Sequence, residues 1–250
     1  RDRQEVMLSV VIPAHNEEGS VETTVRSIVS TLSKEGIDHE LVVVNDHSSD
    51  GTAGILSRLQ AELPQLRVVE NEGAGGFGYA VRKGLANFNG DRVAVMMADL
   101  SDLPEDLVRF HRKMDEGYDC VFGTRWSKGG KVVDYPWLKK MINRLANTIV
   151  RLTFRIKYND CTNAFKLYRR ETIQGLQPLM SPHFNLTLEL PLKAIVRGYT
   201  YAVVPNSWYN RKTGVSKLKI KEMGSRYFFI LLYCLIEKHF SRGDFKKRPV

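Results

Sequence analysis

The hydrophobic positions in the first half of the chain fall in short, nearly unbroken runs: residues 8–12, 40–44, 66–69, 92–97 and 119–123, most of them rich in Val. Between them, residues 17–32, 52–63, 77–88 and 104–116 carry apolar residues at helical spacing. Strands apolar on both faces, alternating with amphipathic helices, call for an α/β fold with a mostly parallel central sheet flanked by helices. Ligands of such sheets bind beyond the carboxyl ends of the strands, so the residues after each strand are where chemistry is expected. They are polar and acidic: residues 13–17 after the first strand, 45–52 after the second and 98–102 after the fourth.

The second half changes character. Residues 126–140 read as a lysine-rich loop with Gly129 and Gly130, leading into a helix over 137–154. Strands near 164–168 and 201–204 and a helix near 186–197 follow. The tail over 215–239 is basic first and strongly apolar after. The expected organisation is a catalytic domain over residues 1–215 and a basic, apolar, amphipathic helical segment over 216–250.

A chain of 250 residues, 43% hydrophobic, can bury one large core. The net charge of +9 points to an anionic partner: a phosphorylated substrate, an anionic membrane surface or nucleic acid. No helix-turn-helix, zinc or aromatic RNA-binding pattern accompanies it, so nucleic acid is not expected. Cys120, Cys161 and Cys234 show neither pairing nor metal-ligand spacing and read as buried thiols of a reducing compartment, by default the cytosol. The longest apolar run, Tyr227 to Ile236, is ten residues against the roughly 20 of a spanning helix, so no transmembrane helix is expected.

Asp46, Asp50 and Asp99 stand at strand ends that a parallel sheet brings together. Converging carboxylates there would hold Mg²⁺ or Mn²⁺ and orient a ribose. Asp50 also suits a turn and the cap of the next helix. Asp99, directly after an apolar run, has little structural reason for its place.

Val42-Val-Val-Asn-Asp46-x-Ser-x-Asp50-Gly-Thr, preceded by Val11-Ile-Pro-x-x-Asn-Glu17 and followed by Met97-Ala-Asp99, resembles glycosyltransferase family 2 with the GT-A fold. Within it the chain is similar to the polyprenyl-phosphate glycosyltransferases of the dolichol-phosphate mannose synthase type. Gly123-Thr-Arg125, the segment from Leu138 to Asn147, Asp160-Cys-Thr-Asn-Ala-Phe165-Lys-Leu-Tyr168-Arg-Arg170 and Arg211-x-x-Gly214-Val-Ser216-Lys217 add to the match. The resemblance implies a nucleotide-diphosphate-sugar donor and a polyprenyl-phosphate acceptor. Pro13, His15 and Glu17 would line the base pocket, and Val44 and Asp46 would hold base and ribose. Met97, Ala98, Asp99 and Ser101 would meet the diphosphate, with Asp99 as the metal ligand for Mg²⁺ or Mn²⁺. Two departures stand out: Met97 replaces the first acid of the usual Asp-x-Asp, and Ser101 replaces a usual Gln. Asp102 either supplies a compensating charge or caps the helix that starts at Pro104.

A lipid phosphate is largely dianionic at neutral pH and needs cations to position it more than a base to activate it. Arg125, Lys139, Lys140, Arg144, Arg211 and Lys217 are the candidates, with Asp99, Arg125, Arg211 and Lys217 expected to be catalytic. Single displacement at the anomeric carbon would invert its configuration. Residues 216–221 followed by 227–236 place cations beside an aromatic-rich apolar helix, the composition of an element lying on the cytoplasmic face of a membrane, peripheral or monotopic. The same face would equally bury itself against the core or a second subunit of a homo-oligomer. Transfer to a soluble acceptor and a non-catalytic nucleotide-sugar binder stay open. So does a nicotinamide-dependent oxidoreductase, on Gly73-Ala-Gly75-Gly-Phe-Gly78 with Asp99 about 20 residues on.

Overall fold

A computed structural model of the protein describes residues 6–210 and 220–247. Its main sheet has seven strands: β1 (Leu8–Ala14), β2 (His39–Asn45), β3 (Leu66–Glu70), β4 (Arg92–Val95), β5 (Cys120–Thr124), β7 (Lys166–Arg169) and β8 (Tyr201–Pro205), in the order β3-β2-β1-β4-β7-β5-β8. Neighbours are parallel except β7, which runs antiparallel to both β4 and β5. The helices are α1 (Val21–Lys34), α2 (Thr52–Glu62), α3 (Phe77–Leu85), α4 (Pro104–Met114), α5 (Trp137–Phe154), α6 (Arg170–Gly175), α7 (Leu186–Val196) and α8 (Ile220–Phe240).

The unbroken apolar runs are explained by cores on both faces of the sheet. Val10, Ile12, Leu41 and Val43 pack on one side with Val25 and Ile28 of α1, Leu56 of α2 and Phe110 of α4. Val11, Val42 and Val44 pack on the other with Ala80 of α3, Val150 of α5, Leu190 of α7 and Ile230 of α8. The period of two sends successive side chains to opposite cores. Cys120, Cys161 and Cys234 are free and buried.

Three expectations shift. β4 stops at Val95, two residues short of the apolar run, because the Met97 N–H is taken by Asp102 Oδ2. α1 starts at Val21 rather than Glu17, because Glu17 O accepts the N–H groups of Ser20 and Val21 in a preceding turn. The expected loop over 126–140 contains β6 (Lys131–Val133), which pairs in parallel with β9 (Ser207–Tyr209) as a small second sheet. The boundary expected at 215/216 lies outside the described residues. α8 packs on the core of the main sheet, where Ile230 and Cys234 are fully buried and Glu237 forms a buried ion pair with Arg197.

β7 matters most for the site. Its first residue, Lys166, sits opposite Val95 of β4 and Phe122 of β5, so the loop entering β7 lies between the carboxyl ends of two parallel strands.

Candidate active site

Three walls meet at that end of the sheet, the loops after β1 and β2 together forming the first. The loops after β1 and β2 are stitched together: His15 Nδ1 lies 2.5 Å from Asp46 O, and the Ser49 N–H donates to Asn16 Oδ1 at 2.7 Å. Asp46 spends both carboxylate oxygens on the glycine-rich turn, accepting Asn71 Nδ2 at 2.7 Å and the Gly76 N–H at 2.8 Å. A Cβ at Gly76, whose φ is 148°, would lie 2.9 Å from Pro182 O and from His183 Nδ1. The glycines thus serve close packing of α3 against residues 181–183. The Gly76 N–H that a dinucleotide site would offer to pyrophosphate is committed to Asp46, which removes the basis of the oxidoreductase reading. Asp50 accepts the Thr52 hydroxyl and the N–H groups of Thr52 and Glu18, and against the effect of burial these bonds lower its pKa. It is a loop residue that ties the turn before α2, whose N-cap position is Gly51, to Glu18.

Among the expected base contacts, His15 and Glu17 are half-buried and Pro13 is buried. Val44 is fully buried in the core, so its side chain faces Ala80 and Val81 rather than a ligand. Ala98 is buried, and its carbonyl accepts Thr24 Oγ1 at 3.0 Å.

The second wall is the loop after β4. Leu100 adopts φ 61°, a left-handed conformation that turns the chain back on itself. The Ser101 N–H then donates to Asp99 Oδ1 at 3.1 Å, and Asp102 reaches the Met97 N–H at 3.3 Å. The residue preceding α4 is Leu103, with no side-chain cap, so Asp102 does not cap that helix. It makes an isolated antiparallel bridge with Trp208 instead. Met97, Asp99, Ser101 and Asp102 all line one cavity of about 200 Å³. Burial first, and then the Asp99 charge, push the Asp102 carboxyl up to about 7. The Ser101 hydroxyl, 1% exposed, has no hydrogen-bond partner among the described residues.

The third wall, residues 160–165, stands opposite. Asp160, fully buried, accepts Arg125 Nε at 2.9 Å, Arg125 Nη2 at 2.7 Å and the Arg125 N–H at 2.9 Å. Burial disfavours the guanidinium charge, but the Asp160 charge outweighs it and holds Arg125 above its ordinary value. Lys166 Nζ, buried beneath, donates to the carbonyls of Cys161, Asn163 and Thr187, and burial pulls its pKa down to about 7. Asn163 Nδ2 ties the loop to Gly123 O and Asn206 Oδ1.

The expected acceptor cations separate into groups. Arg125 and Lys139 line the cavity. Lys140 and Arg144 stand over the Trp126 ring at 5.6 and 5.3 Å and do not line it. Arg211 and Lys217 lie outside the described residues. Sequence reasoning gave no role to Asp160, Thr162 or Asn163, although their motif had been singled out. It missed Tyr135, Trp208 and Tyr227, whose arrival at the cavity depends on β6 pairing with β9 and on α8 packing against α7; Tyr227 Oη donates to Phe184 O at 3.1 Å.

One surface was also missed. α5 buries Asn147, Val150 and Phe154 and turns Trp137, Leu138, Met141, Leu145 and Leu152 outward, each more than half exposed. Lys140 and Arg151 flank them and are exposed. α8 likewise exposes Phe228, Phe229, Ile236 and Phe240. No helix among the described residues is long and apolar enough to cross a membrane.

Comparison with known proteins agrees with this architecture. Residues 9–176 match the glycosyl transferase family 2 profile. The dolichol-phosphate mannosyltransferase of Pyrococcus furiosus is 32% identical over 217 residues, which are 86% of this chain and 60% of that protein; the chain therefore spans less than two thirds of that relative's length. The polyprenol monophosphomannose synthase of Mycolicibacterium smegmatis is 31% identical over 218 residues, 84% of this chain and 80% of that one. Among solved structures, glucosyl-3-phosphoglycerate synthase from Mycobacterium tuberculosis in complex with UDP superposes with a TM-score of 0.69 at 20% identity, covering 92% of this chain and 80% of that one. The same enzyme with Mn²⁺, UDP-glucose and phosphoglyceric acid gives 0.68 at 20% identity, with the same coverage of both chains. At that identity the likeness concerns the fold, which is GT-A. The apolar strand runs, the Asp46 and Asp99 strand ends and the match over most of the first 176 residues agree: the chain belongs to glycosyl transferase family 2.

Proposed function

We propose that this protein transfers a hexose from a nucleotide diphosphate sugar, GDP-mannose or a UDP-sugar, to a polyprenyl phosphate at a membrane surface. The observation that carries the acceptor is α5. Lys139 and Asn143 on one side of the helix line the cavity, while Leu138, Met141 and Leu145 on the other are exposed. A phosphate in the cavity and its isoprenoid tail in a bilayer would therefore be separated by one helix diameter. The exposed aromatic and cationic residues of α5 and α8 suit an interfacial element on an anionic leaflet, and the net charge of +9 favours it. This supports a peripheral or monotopic location on the cytoplasmic side. The names of the two mannosyltransferring relatives point the same way.

The chain's own groups would work as follows. Arg125, aligned by Asp160, and Lys139 offer positive charge to the acceptor phosphate; Arg211 and Lys217 are proposed to join them. The dianionic phosphate attacks the anomeric carbon directly, with inversion and without a protein base. Asp99 faces the donor diphosphate, and a divalent cation suits this place, since a carboxylate and the Ser101 hydroxyl, which has no partner among the described residues, present hard oxygen atoms to the cavity. Bound there, Mg²⁺ or Mn²⁺ would neutralise the charge developing on the leaving nucleoside diphosphate.

A panel of radiolabelled nucleotide sugars with purified polyprenyl phosphate, with and without EDTA, tests this. Transfer to lipid from one donor, lost in EDTA, is expected, with an inverted anomeric centre by NMR. Transfer only to a soluble sugar or phosphorylated acceptor would move the protein to the other acceptor class, and no transfer from any donor would refute the enzyme reading.

A further inference from the structure

The loop after β4 departs from its family's metal motif at residue 97, where the Met thioether is a poor partner for a hard cation. The missing acid is found three residues beyond Asp99. The left-handed turn at Leu100 reverses the chain so that Asp99, Ser101 and Asp102 face the same cavity. Asp102 is 7% exposed, and among the described residues its side chain makes one hydrogen bond, a long one of 3.3 Å from the Met97 N–H. A carboxylate withdrawn from water on so little hydrogen bonding calls for a counter-charge. The nearby guanidinium of Arg125 is engaged by Asp160.

A second observation stands apart from the carboxylates. Among the described residues Ser101 Oγ is one of four buried hydroxyls without a hydrogen-bond partner, with Ser127, Tyr168 and Ser181, and of these four it alone belongs to a residue that lines this cavity. From these we infer that the catalytic cation is held by Asp99 and Asp102 with the Ser101 hydroxyl beside them, an Asp-x-Ser-Asp set that replaces Asp-x-Asp. All three are oxygen ligands, the preference of Mg²⁺ and Mn²⁺, and the positions they leave are those that the donor diphosphate and water take at such cations. The inference rests on the transferase reading for the cation's purpose, not for its existence.

The test reads Mn²⁺ uptake by the full chain from the loss of the free-ion EPR signal, with Mn²⁺ alone and with Mn²⁺ plus UDP or GDP. Asp102→Asn keeps the side chain's shape and its bond to Met97, and is expected to weaken Mn²⁺ about tenfold or more; Ser101→Ala weakens it about threefold. Both should keep the wild-type circular dichroism spectrum. Adding Met97→Asp to Asp102→Asn, which restores an Asp-x-Asp pair, should bring affinity back, and this holds the test should the single variant fold poorly. Wild-type Mn²⁺ affinity in Asp102→Asn overturns the inference. No Mn²⁺ uptake by the wild type with either nucleotide also overturns it, and EDTA-insensitive transfer would then show the transferase reading intact. Mn²⁺ lost in Asp102→Asn without transfer from any nucleotide sugar sinks the transferase reading and leaves the cation site standing.

Discussion

Removing Asp160 isolates a buried charge. In Asp160→Ala the Arg125 guanidinium, 7% exposed, loses a bidentate partner, and the Arg125 N–H loses its acceptor. Truncating one member of a buried ion pair costs about 3–5 kcal/mol, mostly the desolvation of the partner left behind. For a chain of this size 1 kcal/mol moves Tm by about 2–4 °C, so a fall of roughly 6–20 °C is expected by calorimetry. Pairing Asp160→Leu with Arg125→Met removes both charges and should recover most of that stability, since apolar replacements of whole buried pairs are often neutral. If Arg125 is there to meet an acceptor phosphate, the double variant should be stable and nearly inactive. A fall of less than about 3 °C in Asp160→Ala would show that Arg125 finds solvent or another partner, and would refute the account of this wall. Full activity in the stable double variant would refute the role of Arg125.

Asp99→Ala should lower transfer at least about 100-fold, the scale of losing one electrostatic contact at a reacting centre, while Met97→Asp is tolerated or tightens Mn²⁺; an active Asp99→Ala enzyme would unseat the site. His111, buried and close to the Arg92 charge, has its pKa lowered to about 4 from 6.5. The unfolded chain then binds the extra proton first, so stability falls as pH drops from about 6.5 to 4, by about 2–3 kcal/mol after allowing for partial exposure. Urea midpoints of His111→Phe should be flatter across that window than those of the wild type; equal slopes would exclude His111 as the cause. Leu145→Glu with Leu152→Glu should reduce flotation with anionic liposomes at least about tenfold, because each substitution forfeits about 2 kcal/mol of apolar burial in the interface. Unchanged flotation would reassign the outer face of α5.

Much of the scaffold was legible because its strands are apolar on every position. Val10 and Val11 cannot both be buried unless both faces of the sheet are covered. Asp46 and Asp99 stood out as acids directly after such runs. Other features depend on partners remote in sequence. Asp50 suited either a ligand role or a turn before the next helix, and only its bonds to Thr52 and Glu18 decide for the turn. Arg125 looked like a phosphate clamp, and nothing local shows that Asp160, 35 residues on, shares it. The direction of β7 leaves no trace in a strand of four residues, Lys-Leu-Tyr-Arg. Helical spacing in α5 predicted a helix with two faces but not that its apolar side would look outward, since periodicity records amphipathicity and not what the face meets.

The antiparallel β7 makes the protein modular for recombination. The donor-side loop after β4 and the wall built by residues 160–165 touch one cavity, yet they are separate stretches of chain, joined through backbone ladders at Val95, Lys166 and Phe122. A chimera crossing over at Gly123 and again at Lys166 would exchange α5, β6 and the Asp160 loop as one cassette, Arg125 travelling with its own partner. The register of β7 against β4 and β5 would be inherited from the host, while β6 and Asn163 of the graft would re-form their bonds with β9 and Asn206 of the host. Acceptor preference should follow the cassette, and nucleotide preference should stay with the host.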